Sequence, residues 1–311
     1  MADQPPAIYI MGPTASGKTD LALELARRVQ AEIVSVDSAQ VFRGMDIGTA
    51  KPTPEQRAQV PHHLIDILDP AEAYSAARFR ADAQGVIGAV RERGRLPILV
   101  GGTMLYFRAL RYGLAPLPEA DRAVRERIEA EAATTGWPAL HERLATIDPA
   151  TADRLHPNDQ QRIERALEVH ELTGRTLTEL TAVPEGAAPE GPELRIALAP
   201  NRRDVLHERI EQRFRAMLAA GFIDEVRGLK ARGDLDLDCP SMRAVGYRQV
   251  WHYLDGELDT DGLLERGVIA TRQFAKRQLT WLRRETDAHW HDPTDPQMTQ
   301  RVIQAVGRML I

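Results

Sequence analysis

Gly12-Pro13-Thr14-Ala15-Ser16-Gly17-Lys18-Thr19 satisfies every fixed position of the pattern G-x-x-x-x-G-K-[ST], and its neighbours suit it. The apolar run Ala7–Met11 precedes it and reads as a strand. Thr19–Gln30 follows, with Leu21, Leu25 and Val29 at helical spacing. A strand–loop–helix of this composition binds phosphate for physical reasons. Glycines let backbone N–H groups converge on an anion, the helix N-terminus adds positive potential, and Lys18 supplies a mobile charge. Thr19 offers a hydroxyl to Mg²⁺.

Beyond the loop, strand and helix signals alternate. Ile33–Val36 reads as a second strand closed by Asp37 and Ser38, and Ser75–Arg93 as a helix. Leu96–Val100 reads as a buried strand ending at Gly101-Gly102-Thr103. This alternation predicts an α/β fold whose core is a P-loop NTPase-like, mostly parallel sheet. After Gly113 it stops. From Glu119 to about Thr181 the chain is charged and helix-patterned, broken at Trp137-Pro138, His156-Pro157 and Gly174. Val183–Pro192 reads as an exposed connector, and Leu194–Ala199 as a strand returning to the sheet. The rest reads as mainly helical, with Arg202–Leu218 and Leu263–Arg284 the longest periodic segments. The expected organisation is a first core part at 1–118, a mostly helical insertion at 119–193, and a second core part at 194–311 with basic helices.

Composition excludes several classes. With 43% hydrophobic residues among 311, the chain is neither disordered nor collagen-like. No stretch approaches the roughly 18 apolar residues of a membrane span. The opening Met1–Ile10 lacks a basic n-region and carries Pro5 and Pro6, so no signal peptide is expected. The single Cys239 allows neither an internal disulfide nor a cysteine zinc site. A soluble, cytoplasmic, monomeric protein is expected. The net charge of −5 hides a local feature: Arg272, Lys276, Arg277, Arg283 and Arg284 fall in thirteen residues without one acid. A polyanionic partner fits that segment.

Asp37 is the one carboxylate at the end of a core strand, where α/β sites are built. The alternative candidate strand for a metal-holding acid, Leu96–Val100, ends in Gly-Gly-Thr instead. Asp37 is therefore either a metal ligand, a base for an acceptor, or simply a helix cap.

Asp37-Ser38-Ala39-Gln40-Val41-Phe42-Arg43-Gly44-Met45-Asp46-Ile47-Gly48-Thr49-Ala50-Lys51-Pro52 resembles the signature of bacterial tRNA dimethylallyltransferases, also called tRNA isopentenyltransferases. Further blocks resemble the same family: Pro61–Asp66, Gly101–Tyr106, His156–Arg165, Gly221–Val226, Gly246–Trp251 and Thr271–Trp281. They run in family order from residue 12 to about 284. Phe42 stands where the family pattern has Tyr, and the C-terminal zinc finger of eukaryotic relatives is missing.

The resemblance implies Mg²⁺-dependent transfer of the dimethylallyl group from dimethylallyl pyrophosphate to N6 of the adenosine 3′-adjacent to the anticodon of tRNA. An exocyclic adenine amine is a weak nucleophile, so a carboxylate on its N–H is useful, and Asp37 is the expected general base. The leaving diphosphate needs preorganised donors. The loop from Gly12 to Thr19, with Lys18, supplies them, and by resemblance Arg213 reaches in and Thr103 touches the nucleotide or the diphosphate. The resemblance also assigns Asp37, Ser38, Ala39 and Gln40 to an extruded target nucleotide, with Gln40 as a reader of the adenine edge. Arg125, the stretch Gln161-Arg162-Ile163-Glu164-Arg165, Arg243, and Gln273, Lys276, Arg277 and Thr280 are expected tRNA contacts. On a helical wheel Arg272, Lys276 and Arg283 share a stripe beside Gln273, Arg277, Thr280 and Arg284, opposite Phe274 and Trp281.

Two readings share the fold: a P-loop small-molecule kinase using ATP, and a prenyltransferase of free adenine nucleotides. A non-catalytic RNA-binding module is a third. Neither small-substrate reading needs an acid-free basic helix, and the intact Lys18, Thr19 and Asp37 argue against the module. The adjacent His62 and His63 point different ways and are expected to be structural, Cys239 inert, and Trp251 and Trp281 core residues.

Overall fold

The computed structural model describes residues 6–182 and 191–310. The connector expected at Val183–Pro192 lies, from 183 to 190, outside the described residues, as do residues 1–5 of the opening segment. In chain order the elements begin β1 (Ala7–Met11), α1 (Lys18–Arg28), β2 (Ala31–Val36), α2 (Pro54–Gln59), β3 (His62–His63), α3 (Ala76–Glu92), β4 (Leu96–Gly101) and α4 (Met104–Tyr112). Five helices follow: α5 (Arg122–Thr135), α6 (Trp137–Ile147), α7 (Pro149–Ala152), α8 (Gln160–Thr173) and α9 (Leu177–Thr181). The chain then forms β5 (Glu193–Leu198), α10 (Arg203–Ala219), α11 (Phe222–Ala231), α12 (Tyr247–Leu254), α13 (Thr260–Leu282), β6 (His289–His291) and α14 (Met298–Met309). It divides into two compact units, one containing β1 to Arg111 and β5 to α14, the other starting at Tyr112 and containing α5 to α9.

The six strands form one sheet in the order β3-β2-β4-β1-β5-β6, and every pairing is parallel. This is the α/β class with a P-loop NTPase-like core. A parallel sheet needs both faces covered, and the alternation of side chains allots them. Ile8, Ile10, Ile98 and Ile196 face α1 and α14 through Leu21, Leu25, Val302 and Val306. Tyr9, Met11, Val34, Val36 and Leu99 face the opposite way, toward α3, α4 and the helices α10 to α13. Each side chain so buried contributes about 1.5–3 kcal/mol. The edge strands β3 and β6 are absent from the expected elements, because two and three residues carry no readable period. Among the described residues, the stretch after Ala199 is mainly helical, with β6 and the turns between Ala231 and Tyr247 among the exceptions.

The helical unit shows why its sequence punctuation sits where it does. Pro138 opens α6, its missing N–H costing nothing in a first turn. Gly174 closes α8 in the left-handed region at φ 68°. Leu140, Leu144, Ile163 and Leu167 are fully buried in its core.

Candidate active site

The Gly12–Thr19 loop leaves β1 and enters α1 at the C-terminal edge of the sheet. Ala15 is held at φ 62°, a left-handed conformation that costs a non-glycine residue about 1–2 kcal/mol. Lys18 Nζ donates to the Pro13 carbonyl at 2.6 Å. Burial, together with the neighbouring Arg213, pushes the Lys18 ammonium down to about 7, against the pull of Asp37. Burial likewise lowers the Arg213 guanidinium, with Asp37 and Asp20 opposing. Two cations destabilised in this way are relieved by a bound anion.

These groups line a cavity of about 430 Å³. Its described lining holds Lys18, Arg213, Arg243 and Arg277 against one carboxylate, Asp37. Apolar walls come from Ile65, Phe214, Met217, Phe222 and Phe274. A second cleft, reached past Arg209 and Gln212, meets the first at Lys18, Thr19 and Arg213.

The acceptor side is built at the ends of β2 and β4. Asp37 Oδ1 accepts from the Ala39 N–H at 2.8 Å and the Gln40 N–H at 3.3 Å. Oδ1 thus closes a turn and no helix follows it, so Asp37 is not a helix cap, while Oδ2 has no hydrogen-bond partner among the described residues. Thr103 Oγ1 accepts from the Ser38 N–H at 3.2 Å, and the Thr103 N–H donates to Val36 at 3.3 Å. Gly101 must be glycine, since a Cβ there would lie 1.9 Å from the Val36 carbonyl oxygen.

The Gln40 amide is committed inward. Its Oε1 accepts from Ser35 Oγ at 2.9 Å, and its Nε2 donates to Thr49 and Ala50 carbonyls at 3.4 Å each. The amide of Gln40, a lining residue of the cavity, thus buttresses the Thr49–Ala50 turn in this structure. The same signature segment is held from outside by Glu225 on α11. Its carboxylate accepts from the N–H groups of Asp46, Ile47 and Gly48 at 2.9, 2.6 and 3.1 Å, and from the Tyr247 hydroxyl at 2.6 Å. Lys51 closes the segment, donating to the Phe42 carbonyl, Asp46 and Asp66. Phe42 is buried in the core.

On α13, Gln273, Lys276, Arg277 and Thr280 are all exposed and form one arc, continued past the helix end by the exposed Arg283 and Arg284, while Ala275, Gln278 and Leu282 are buried opposite. Arg272 stands at the border and pairs with Glu211 at 3.2 Å, so the basic stripe loses it to a structural pair. Phe274 and Trp281 flank the arc half-buried, under the guanidinium groups of Arg277 and Arg284 at 5.9 and 5.5 Å. Trp251 is core, as expected. Arg243, exposed at the cavity, lies 3.5 Å from Asp238.

In the helical unit the expected contacts separate. Gln161 and Arg162 are exposed, with Arg162 on Asp159 at 3.1 Å, and Glu164 is half-buried. Ile163 is fully buried, which removes its side chain from any RNA face because the α8 period turns it inward. Arg125 and Arg165 converge on Glu168, which is 0% exposed, at 2.8 and 2.5 Å. A buried carboxylate demands such partners, and no sequence signal marked Glu168. His62 Nδ1 lies 2.7 Å from the Val60 carbonyl, whereas His63 Nε2 contacts Glu32 at 2.6 Å. Cys239 is partly buried beside Asp236.

The chain matches the family described as IPP transferase over residues 40–285, and the isopentenyl transferase family over residues 6–65. It is 58% identical to the tRNA dimethylallyltransferase of Methylococcus capsulatus over 99% of both chains. It is 59% identical to that of Alkalilimnicola ehrlichii, over 98% of this chain and 96% of the relative. Among solved structures, the full-length tRNA isopentenylpyrophosphate transferase of Bacillus halodurans superposes with a TM-score of 0.72 at 40% identity, covering 99% of this chain and 97% of that one. With likeness at this level along essentially the whole length, the chain belongs to the IPP transferase family, the prenyltransferase enzymes named tRNA dimethylallyltransferases.

Proposed function

We propose that this enzyme transfers the dimethylallyl group of dimethylallyl pyrophosphate to N6 of the adenosine 3′-adjacent to the anticodon of tRNA, releasing pyrophosphate. The observation that carries this reading is one cavity in which an anion-binding loop, Lys18 and Arg213 stand beside the lone carboxylate of Asp37. The loop amides from Gly12 to Thr19, with Lys18 and Arg213, bind the diphosphate and take up the charge that develops as it leaves. Asp37 Oδ2 accepts the proton of the attacking amine while its Oδ1 keeps the turn closed. Thr103, anchored to Ser38, orients the acceptor. The apolar walls exclude water from an allylic centre that would otherwise hydrolyse.

Mg²⁺ fits the Thr19 hydroxyl, a hard oxygen that lines the cavity at the end of the anion-binding loop. When bound, the ion neutralises charge on the leaving diphosphate. The exposed arc of Gln273, Lys276, Arg277 and Thr280, with Arg243 and the exposed Gln161 and Arg162 of the 119–193 insertion, is proposed to meet the RNA backbone. No helix of the described residues is long and apolar enough to cross a membrane. A cytoplasmic monomer meeting tRNA there is part of the proposal.

Incubation with Mg²⁺, dimethylallyl pyrophosphate and unmodified anticodon stem-loop RNA, read by nucleoside mass spectrometry, tests it. A prenyl mass on adenosine, lost when the target is replaced by guanosine, is expected. Phosphate transfer in a parallel ATP arm, with no prenyl adduct, would overturn the reading.

A further inference from the structure

The phosphate loop and the acceptor turn belong to neighbouring strands that part company at the site. Met11 and Gly101 are the last paired residues of β1 and β4. Beyond them the chain divides into Gly12–Thr19 on one side and Gly102-Thr103 on the other, and the Gln278 side chain crosses the gap. Gln278 Oε1 accepts from the Thr14 N–H at 2.8 Å, and Gln278 Nε2 donates to the Gly102 carbonyl at 3.0 Å. Gln278 is 7% exposed, on the buried arc of α13 with Ala275 and Leu282. From Gly102 the connection continues covalently to Thr103, then through Thr103 Oγ1 to the Ser38 N–H, beside Asp37.

We infer that Gln278 is a positioning residue: its amide fixes the diphosphate-binding loop against the Asp37–Thr103 side, and so sets donor against acceptor for group transfer. The inference deepens the function proposed above and rests on it. A primary amide is the side chain that suits the task, having an acceptor for one backbone N–H and a donor for one backbone carbonyl at the same distance from Cα. A carboxylate would oppose Gly102, and an ammonium would oppose Thr14. Gly102 belongs to the same device, because a Cβ there would meet Gln278 Nε2 at 2.2 Å and push the amide out of the gap. Gln278 touches neither substrate in this role. It acts through the loop and the turn, where a displacement of about 1 Å is enough to cost on the order of a hundredfold in rate.

The test compares wild type, Gln278→Met, Gly102→Ala and the double variant. Methionine keeps the length and removes both hydrogen bonds. For each protein the melting temperature, the affinity for inorganic pyrophosphate, and the single-turnover prenyl-transfer rate at saturating RNA and dimethylallyl pyrophosphate are measured. A positioning role predicts a rate on the order of a hundredfold slower in either single variant, with pyrophosphate affinity changed by no more than about fivefold. The double variant should be no slower than the worse single one, since both break the same link. A Gln278→Met rate within about threefold of wild type would overturn the role. So would lowered stability with an unchanged rate per folded molecule, which is what a purely structural residue gives. A wild type that binds pyrophosphate but transfers no prenyl group overturns the proposed reaction and this role together; transfer by wild type and Gln278→Met alike overturns the role alone.

Discussion

Asparagine and alanine at position 37 separate the two tasks of the Asp37 carboxylate. Oδ1 closes the turn through the Ala39 and Gln40 N–H groups at 2.8 and 3.3 Å, and Oδ2 serves the acceptor. Asp37→Asn keeps an oxygen for both amides and places an NH₂ where Oδ2 stood. Asp37→Ala removes both. A side chain accepting from backbone N–H groups in this way contributes about 0.5–2 kcal/mol, so alanine should cost about 1–2 kcal/mol, a melting shift of about 2–6 °C, and asparagine much less. The rate behaves differently. A positioned base contributes about 10²–10⁴-fold, or about 3–5 kcal/mol of barrier, and both variants should lose that amount equally. Pyrophosphate should bind each variant as tightly as wild type or tighter, because Asp37 repels an anion held by Lys18 and Arg213. Rapid-quench single turnovers, read by nucleoside mass spectrometry, give the rate, and fluorescence anisotropy gives an RNA affinity expected within a few fold of wild type. Asp37→Asn turning over within about threefold of wild type would refute the base assignment and leave Asp37 only closing the turn.

The double variant Lys276→Ala/Arg277→Ala should weaken RNA binding and lower the slope of log affinity against log salt by about 1.4–1.8, whereas Arg272→Ala, already paired with Glu211, should leave the slope unchanged. An unaltered slope in the double variant would place the RNA elsewhere. In the helical unit, Glu168→Gln strips the ionic partner from Arg125 and Arg165. Their side chains are 39% and 27% exposed, so water softens the loss to about 2–3 kcal/mol in calorimetric unfolding. The same group sets an acid limb. Burial alone would raise the Glu168 carboxyl, but hydrogen bonds from Arg125, Arg165 and the Asp121 N–H hold it below its ordinary 4.5. Its stabilisation is therefore complete above about pH 4.5 and is lost as pH falls through the lower folded value, and Glu168→Gln should flatten that limb. Gly101→Ala sets a Cβ against the Val36 carbonyl oxygen and should appear as a sharp loss of soluble yield and melting temperature.

The residues readable along the chain are those whose task is local. The phosphate loop needs glycines, a lysine and a threonine within eight consecutive positions, because the amides of one turn make the site, and Gly12–Thr19 displays all of them. Period and punctuation likewise marked β1, β4, α10, α13 and the breaks at Pro138 and Gly174, since a helix or strand declares its buried face at fixed spacing. The basic arc of α13 was legible for the same reason. Partners that come from far along the chain were not. Gln40, Arg125 and Arg165 look in the sequence like polar groups offered to a ligand, yet folding supplies Ser35 and the Thr49–Ala50 turn to the first and the buried Glu168 to the others. Gln278 sits within a segment that reads as surface, although its place on the core arc between Ala275 and Leu282 was a usable hint. Glu225 is 177 to 179 residues from the three amides it gathers. A side chain's chemistry is inherited from its type, but the groups that satisfy or free it are chosen by the packing of distant elements, and only the assembled fold brings those elements together.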